Sequence, residues 1–71
     1  MYFINDEAGI AFESTEGGLA KWRSEDKDFT RLMSSAERRA LFSPRRRVSA
    51  DEAMDFMLAK DAASGAAAPR A

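Results

Sequence analysis

The chain has 71 residues and not one cysteine or histidine, and this absence constrains its fold more than any other feature. A domain of about 60 residues buries only about 60% of the surface that its unfolded chain exposes, so its core is marginal. Small domains usually compensate with disulfides, a metal ion or a partner subunit. Without thiols and imidazoles, disulfides and the commonest metal sites are excluded. We therefore expect no cofactor and one small domain, stabilised by local packing or by association as a homo-oligomer or a complex.

Nothing in the sequence indicates a membrane protein. No apolar run approaches the ~18 residues that a membrane-spanning helix needs. The N-terminus lacks the basic-then-apolar layout of a secretion signal. We therefore expect a cytoplasmic protein. The excess of alanine, and of arginine over lysine, is typical of GC-rich bacterial or phage genomes, and a phage-encoded chain would act in the host cytoplasm.

Charge is distributed unevenly along a chain whose net charge is −1. Residues 31–47 contain six arginines against one acid, Glu37, and carry +5. Residues 1–30 hold seven acids against three bases (−4), and residues 48–71 hold four acids against two bases (−2). A basic centre between acidic flanks indicates either internal charge pairing or a basic contact surface. Guanidinium groups form paired hydrogen bonds with carboxylates and phosphates, so these arginines are candidate ligand contacts.

Two short apolar runs near the N-terminus, residues 2–4 and 10–12, are rich in aromatic and β-branched side chains. The five residues between them end in Gly9, which is typical of a β-hairpin loop, and a short helix is the alternative. An isolated hairpin is barely stable in water, so we expect this segment to pack on the helices or to pair with another chain. After a glycine-rich turn, Leu19 and Trp22 are spaced as on one turn of helix.

The stretch from about residue 27 to 42 predicts a helix, because its apolar residues recur at helical spacing along one arc about 100° wide. These residues are Phe29, Leu32, Met33, Ala36 and Ala40. Pro44 ends the helix, since the residue before a proline is driven out of helical geometry. Ser34 and Glu37 also match a capping box, which would divide the element into two shorter helices. The continuous stripe favours one helix.

A final helix is predicted over about residues 50–62, beginning at a capping box formed by Ser49 and Glu52. Its apolar arc spans about 200° and includes Phe56, which is wide for one contact surface. This width indicates two packing surfaces, one toward the core and one toward a partner. Residues 62–71 are alanine-rich and almost free of large apolar groups, so we expect a disordered tail.

These elements predict an α+β mini-domain over residues 1–61, in which an N-terminal hairpin or extended segment packs on two helices. An all-α fold is the alternative. The predicted core consists of Phe3, Ile10, Phe12, Leu19, Trp22, Phe29, Leu32, Met33, Leu41, Met54, Met57 and Leu58. Burying one large apolar side chain contributes about 1.5–3 kcal/mol, so truncation of Leu32 or Met57 is expected to unfold so small a domain.

Few groups in the chain are suited to catalysis. The sequence has no histidine base, no cysteine nucleophile and no glycine-rich phosphate loop. Residues 24–27 match a serine–x–x–lysine pattern of some acyl-transfer enzymes, but the chain is too short to add an oxyanion hole and a substrate cleft. We therefore expect neither an enzyme nor a small-molecule substrate, and no motif set identifies a family.

The leading hypothesis is a non-catalytic protein-binding module: a regulator, inhibitor or assembly factor that contacts an acidic or apolar protein surface. The predicted contact residues are Arg31, Arg38, Phe42, Arg45, Arg46, Arg47 and Phe56. The alternative is a nucleic-acid-binding module in which Arg38, Arg45, Arg46 and Arg47 contact phosphates. The acidic flanks and the net negative charge weigh against this alternative. The acidic start of the last helix weighs against a helix-turn-helix, whose recognition helix reads bases with its first residues.

Overall fold

A computed structural model describes residues 1–67, which form a five-stranded antiparallel sheet and two helices. The strands are β1 (Tyr2–Asn5), β2 (Ile10–Thr15), β3 (Gly18–Arg23), β4 (Asp28–Leu32) and β5 (Arg46–Val48), and the helices are α1 (Ser35–Leu41) and α2 (Ala50–Ala67). Strands β1 to β4 follow one another in the sheet, and β5 returns to pair with β1, so the order is β4-β3-β2-β1-β5. The predicted α+β class is confirmed, and the all-α alternative is wrong.

The predicted N-terminal hairpin is confirmed, with Phe3 opposite Phe12 in the β1–β2 pair. Its loop is closed by Asn5, whose Oδ1 accepts from the Ala8 N–H at 3.0 Å and whose carbonyl accepts from the Gly9 N–H at 2.9 Å. The φ of Gly9 is 69°, a left-handed conformation that favours glycine. Asn5 is only 2% exposed, and its Nδ2 donates to the Leu41 carbonyl at 2.9 Å. This bond ties the hairpin to the end of α1.

The predicted helix over residues 27–42 is wrong in its first half, which is strand β4, and the helical turn predicted around Leu19 and Trp22 is strand β3. The capping-box alternative is the correct one for α1: the Glu37 N–H donates to Ser34 Oγ at 3.1 Å, and the Ser34 N–H donates to Glu37 Oε1 at 3.0 Å. The helical stripe therefore combines residues of a strand and of a separate, seven-residue helix. Leu32, predicted in the core, is 60% exposed.

Both faces of the sheet are covered, because apolar side chains alternate between them along β1, β2 and β3. On the α2 side the buried residues are Ile4, Ala11, Ala20, Trp22, Phe29 and, from the helix, Ala53. On the α1 side they are Phe3, Phe12 and Leu19, with Met33 and Phe42 packed against them. The Tyr2 and Phe29 rings lie 5.3 Å apart although two strands separate β1 from β4, so the sheet is strongly curved.

The capping box predicted for α2 is confirmed: the Glu52 N–H donates to Ser49 Oγ at 3.1 Å, and the Ser49 N–H donates to Glu52 Oε1 at 3.3 Å. The helix extends to Ala67, beyond the predicted end near residue 62, and residues 68–71 of the predicted tail lie outside the described residues. Met54, predicted in the core, is 36% exposed, and its neighbour Ala53 is fully buried instead. The small alanine lets the helix backbone approach the sheet closely.

Part of the wide apolar arc of α2 lies against the curved sheet, while Met54 of the same arc is exposed. Phe56, Met57 and Leu58 are all partly buried and pack on the same core cluster. A concave sheet face can cover a wider arc of a helix than a flat one, and this accounts for an arc that exceeds one narrow contact.

Candidate functional site

One row of side chains crosses all five strands on the α1 side of the sheet. Directly paired residues of antiparallel strands project to the same face, so the register alone defines the row. In order from β4 to β5 the row contains Arg31, Lys21, Phe12, Phe3 and Arg47. Cationic side chains thus lie at both ends of the row, and buried aromatic rings lie at its centre.

Arg45 stacks on the aromatic cluster beside this row. Its guanidinium carbon lies 3.8 Å from the centroid of the Phe42 ring and 5.3 Å from that of Phe3. The Phe42 ring in turn lies 6.0 Å from Phe12 and 6.5 Å from Phe3, so three rings support the cation. A guanidinium that lies over a ring face can still direct N–H groups to a carboxylate or phosphate. The stacking also reduces the side-chain entropy that Arg45 would lose on binding.

Helix α1 is anchored to the sheet by the ion pair between Glu37 and Lys21. Hydrogen bonds from the Lys21 ammonium and from the Ser34 N–H lower the pKa of Glu37 from 4.5 to about 2, and the charge of Arg31 acts in the same direction. Glu37 is therefore ionised at neutral pH, and its hydrogen bonds are used internally. The one acid among residues 31–47 thus pairs with a lysine of β3 instead of an arginine.

Arg38 and Arg39 extend from α1 beside Phe42. Arg38 and Phe42 lie between two shallow depressions of about 390 and about 290 Å³, and Arg39 borders the larger one. Both arginines are exposed, whereas Phe42 is half-buried. The depressions are wide open to solvent, so their shape suits an extended chain segment better than an enclosed small molecule.

We call the surface formed by Arg31, Arg38, Arg39, Arg45, Arg47 and Phe42 the arginine face. Within residues 1–67, the ion pairs join Lys21 to Glu37, Arg23 to Glu25 and Asp26, and Arg46 to Asp6. No arginine of the arginine face has a carboxylate partner in the part of the chain that the structure describes. Ion pairs within residues 1–67 thus account for one of the six arginines in residues 31–47, Arg46.

Two of the predicted contact residues lie away from this surface. Arg46 is opposite Ile4 and so projects to the α2 side, where its Nε donates to Asp6 Oδ2 at 2.7 Å and its Nη2 to Asp6 Oδ1 at 3.3 Å. This contact lowers the pKa of Asp6. Phe56 of α2 is half-buried, and the Lys60 Nζ lies 5.5 Å from its ring centroid. The other five predicted residues are brought together on the α1 side.

The sequence interpretation omitted two cations of this region, Arg39 and Lys21. Arg39 follows Arg38 directly and could have been included from the charge run alone. Lys21 could not have been included in this way, because its position depends on β3, which the sequence predicts as a helical turn. It approaches the arginines only through the register of β2, β3 and β4.

The opposite layer of the molecule carries the opposite charge. Residues 51–61 of α2 contain four acids and one lysine, and Asp51, Glu52 and Asp55 are exposed. Cations therefore concentrate on the α1 side and acids on the α2 side. Such segregation orients an incoming charged partner, an effect that salt weakens.

Among the described residues, no group of three or more histidine, cysteine, aspartate or glutamate side chains is arranged to hold a metal ion. Neither described helix is long and apolar enough to cross a membrane. Comparisons of the chain with protein families, with curated proteins and with solved structures find no match. The arginine face is accordingly the feature from which function is inferred.

Proposed function

We propose that this protein is a non-catalytic binding module whose arginine face binds an acidic segment of another protein. In this role it would act in the cytoplasm, or in the host cytoplasm if phage-encoded, as a regulator, inhibitor or assembly factor. The observation that carries the proposal is the stacking of Arg45 on Phe42, next to four further arginines without an acidic partner among residues 1–67.

Carboxylates fit this surface because guanidinium groups present two parallel N–H donors that match the two oxygens of one carboxylate. A hydrogen bond to a charged group contributes about 1.5–3 kcal/mol when water is excluded, and much less at an exposed rim. Arg45 and Arg38 border the apolar ring of Phe42, where a bound segment would displace water. We therefore expect them to contribute more than Arg31, at the far end of the row.

An acidic protein segment is favoured over nucleic acid because the aromatic rings of this surface are buried or covered. Single-stranded nucleic acid binds to exposed ring faces on which bases stack. Phe12 is fully buried, Phe3 is 9% exposed, and the ring of Phe42 is covered by Arg45. The acidic α2 layer would also repel a polyanion that extends around the molecule. Nucleic-acid binding is therefore the alternative outcome of the test.

The test is a fluorescence anisotropy titration with two labelled probes, a short peptide of alternating glutamate and threonine and a thymidine oligonucleotide. The peptide is expected to bind, and to bind more weakly as salt is raised. Arg45→Ala and Arg38→Ala should each weaken it about tenfold. Arg23→Ala is the matched control, because it removes the same charge from a residue that faces Glu25 and Asp26 instead.

Three results would decide against the proposal. Tighter binding of the oligonucleotide, lost in Arg45→Ala, would establish the nucleic-acid alternative. Equal loss of peptide affinity in Arg23→Ala and Arg45→Ala would mean that net charge, and not the arginine face, determines binding. Absence of binding to both probes would leave no support for either function.

A further inference from the structure

We infer that the acidic segment binds as an added β-strand along the open edge of β5. This inference rests on the proposed function and specifies its geometry. Strand β5 is the last strand of the sheet on the β1 side, so one of its two edges has no neighbouring strand among the described residues. Extended peptides commonly bind such edges through main-chain hydrogen bonds, with alternate side chains supplying specificity.

The hydrogen-bonding directions in β1 identify which peptide groups of β5 are free. The Ser14 N–H donates to the Met1 carbonyl at 2.7 Å, so Met1 directs its main-chain groups toward β2. Successive residues of a strand direct these groups to alternate sides, so Phe3 also faces β2, while Tyr2 and Ile4 face β5. The β1–β5 ladder is therefore made at Tyr2 and Ile4.

The partners of Tyr2 and Ile4 in β5 are Val48 and Arg46. The main-chain groups of those two residues face β1, and the N–H and carbonyl of Arg47 between them face outward by the same alternation. Within residues 1–67, no side chain or loop accepts a hydrogen bond from the Arg47 N–H. Arg47 is exposed, and among the described residues no strand lies beside its outward main-chain groups.

The side chains beside this edge fit an acidic strand. Arg47 is opposite Phe3 and so projects to the α1 side, and Arg45, two residues earlier, stacks on Phe3 and Phe42 on that same side. Two residues of a strand span roughly 6.6 Å, so an added strand would place every second side chain next to one of these arginines. Carboxylates at alternate positions would therefore meet Arg45 and Arg47 in turn.

A second copy of this chain is a poor occupant of the same edge. Pairing β5 with β5 of another copy would bring the arginines of both strands together, and like charges on paired strands are destabilising. An acidic segment instead neutralises them. Charge complementarity therefore selects a partner that is extended and rich in carboxylates.

The opposite edge of the sheet, at β4, is obstructed. Asp28 Oδ1 accepts from the Phe29 N–H at 2.8 Å, so a side chain already occupies a main-chain donor of this strand. The pairing of β3 with β4 is irregular, since Lys21 pairs with Arg31 but Trp22 pairs with Phe29. Bulges and polar side chains of this kind prevent the addition of strands to an edge. Strand β5 is therefore the edge on which we place the partner.

The experiment compares Arg47→Pro with Arg47→Ala in the full chain, using the alternating glutamate–threonine peptide as probe. Both variants lose the guanidinium, but only the proline variant also loses the outward N–H. Proline is tolerated on an edge strand where the N–H faces solvent, so the β1–β5 pairing should persist. We expect Arg47→Pro to bind the peptide about tenfold more weakly than Arg47→Ala.

Two peptides N-methylated on alternate amides provide a test that does not depend on the folding of a variant. An added strand directs every second N–H toward β5, so one methylated set should lose affinity about tenfold and the other should bind like the parent peptide. In hydrogen exchange, the Arg47 amide should become protected when the parent peptide is added, whereas the Arg46 amide should already be protected.

The outcomes separate the two proposals. If the parent peptide binds and depends on Arg45, but both methylated sets bind equally well and Arg47→Pro matches Arg47→Ala, the added strand is wrong and side-chain binding by the arginine face stands. If the parent peptide does not bind, the proposed function itself fails, and the added strand fails with it.

Discussion

The indole N–H of Trp22 donates to Asp61 Oδ2 at 2.8 Å, joining β3 to the C-terminal half of α2. The other oxygen of the same carboxylate accepts from Ser24 Oγ, also at 2.8 Å. These two bonds lower the pKa of Asp61, because both favour its ionised form. Trp22 is 7% exposed, so its N–H would lack a partner without Asp61. This carboxylate thus ties the C-terminal half of the final helix to β3.

We predict that Asp61→Ala lowers the melting temperature by several degrees and shifts the Trp22 fluorescence to the red. The indole N–H loses its acceptor, and water reaches the ring when the end of α2 loosens. Asp55→Ala is the control, since Asp55 is exposed on the same helix and has no ion pair within residues 1–67. Equal melting temperatures for the two variants would show that the Trp22–Asp61 bond does not hold the helix.

A second prediction concerns acid stability. The pKa of Glu37 is lowered from 4.5 to about 2 in the folded protein by Lys21 and by the Ser34 N–H. Its contribution to the free energy of unfolding is therefore fully present above about pH 4.5 and is lost as the pH falls toward about 2. Glu37→Gln should be less stable than the parent at pH 7, and the difference should vanish near pH 2.

Urea denaturation between pH 7 and pH 2 measures this difference. Asp55→Asn serves as the control for removing one negative charge from the chain. A stability gap between Glu37→Gln and the parent that stays constant across this range would contradict the lowered pKa. Equal stability of Glu37→Gln and the parent at pH 7 would instead show that the capping box with Ser34, which glutamine can also form, and not the ion pair with Lys21, is the main contribution of residue 37.

The core provides a third prediction, which reverses an expectation from sequence. Phe12 is fully buried in the aromatic cluster, so Phe12→Ala should cost about 3–5 kcal/mol and unfold most of a marginal domain. Leu32 is 60% exposed, so Leu32→Ala should change stability by about 0.5 kcal/mol or less. Circular dichroism of both variants during thermal denaturation tests this contrast. A Leu32→Ala variant that unfolds would place β4 in a different register.

Local signals in the sequence were sufficient for some elements. The N-terminal hairpin follows from two β-rich runs around a loop that ends in Gly9, and both helices begin at serine–glutamate capping boxes. Such signals depend on residues a few positions apart, so the sequence contains them directly. The capping box at Ser34 and Glu37 was a better guide to α1 than the apolar stripe, because a capping box specifies a start and a stripe does not.

Non-local pairing could not be predicted. Strand β5 has three residues, two of them arginines, and becomes a strand only because β1 offers it an edge more than forty positions earlier in the sequence. The arginines themselves were evident from charge, but their division between two faces depends on the β1–β5 register. A shift of one residue would exchange Arg46 and Arg47 between the α2 side and the α1 side.

The last prediction concerns the stacked pair on the arginine face. Phe42→Leu keeps every arginine and most of the apolar surface, but it removes the ring that lies 3.8 Å from the Arg45 guanidinium. If stacking orders Arg45 for binding, this variant should bind the acidic peptide roughly threefold more weakly, since a free arginine loses more side-chain entropy. Arg45→Lys should weaken binding further, because lysine keeps the charge but lacks the paired N–H donors. Isothermal titration calorimetry of both variants, with Arg23→Lys as the control for exchanging arginine for lysine, separates these contributions. Affinity unchanged in Phe42→Leu would show that stacking on the Phe42 ring does not contribute to binding by Arg45.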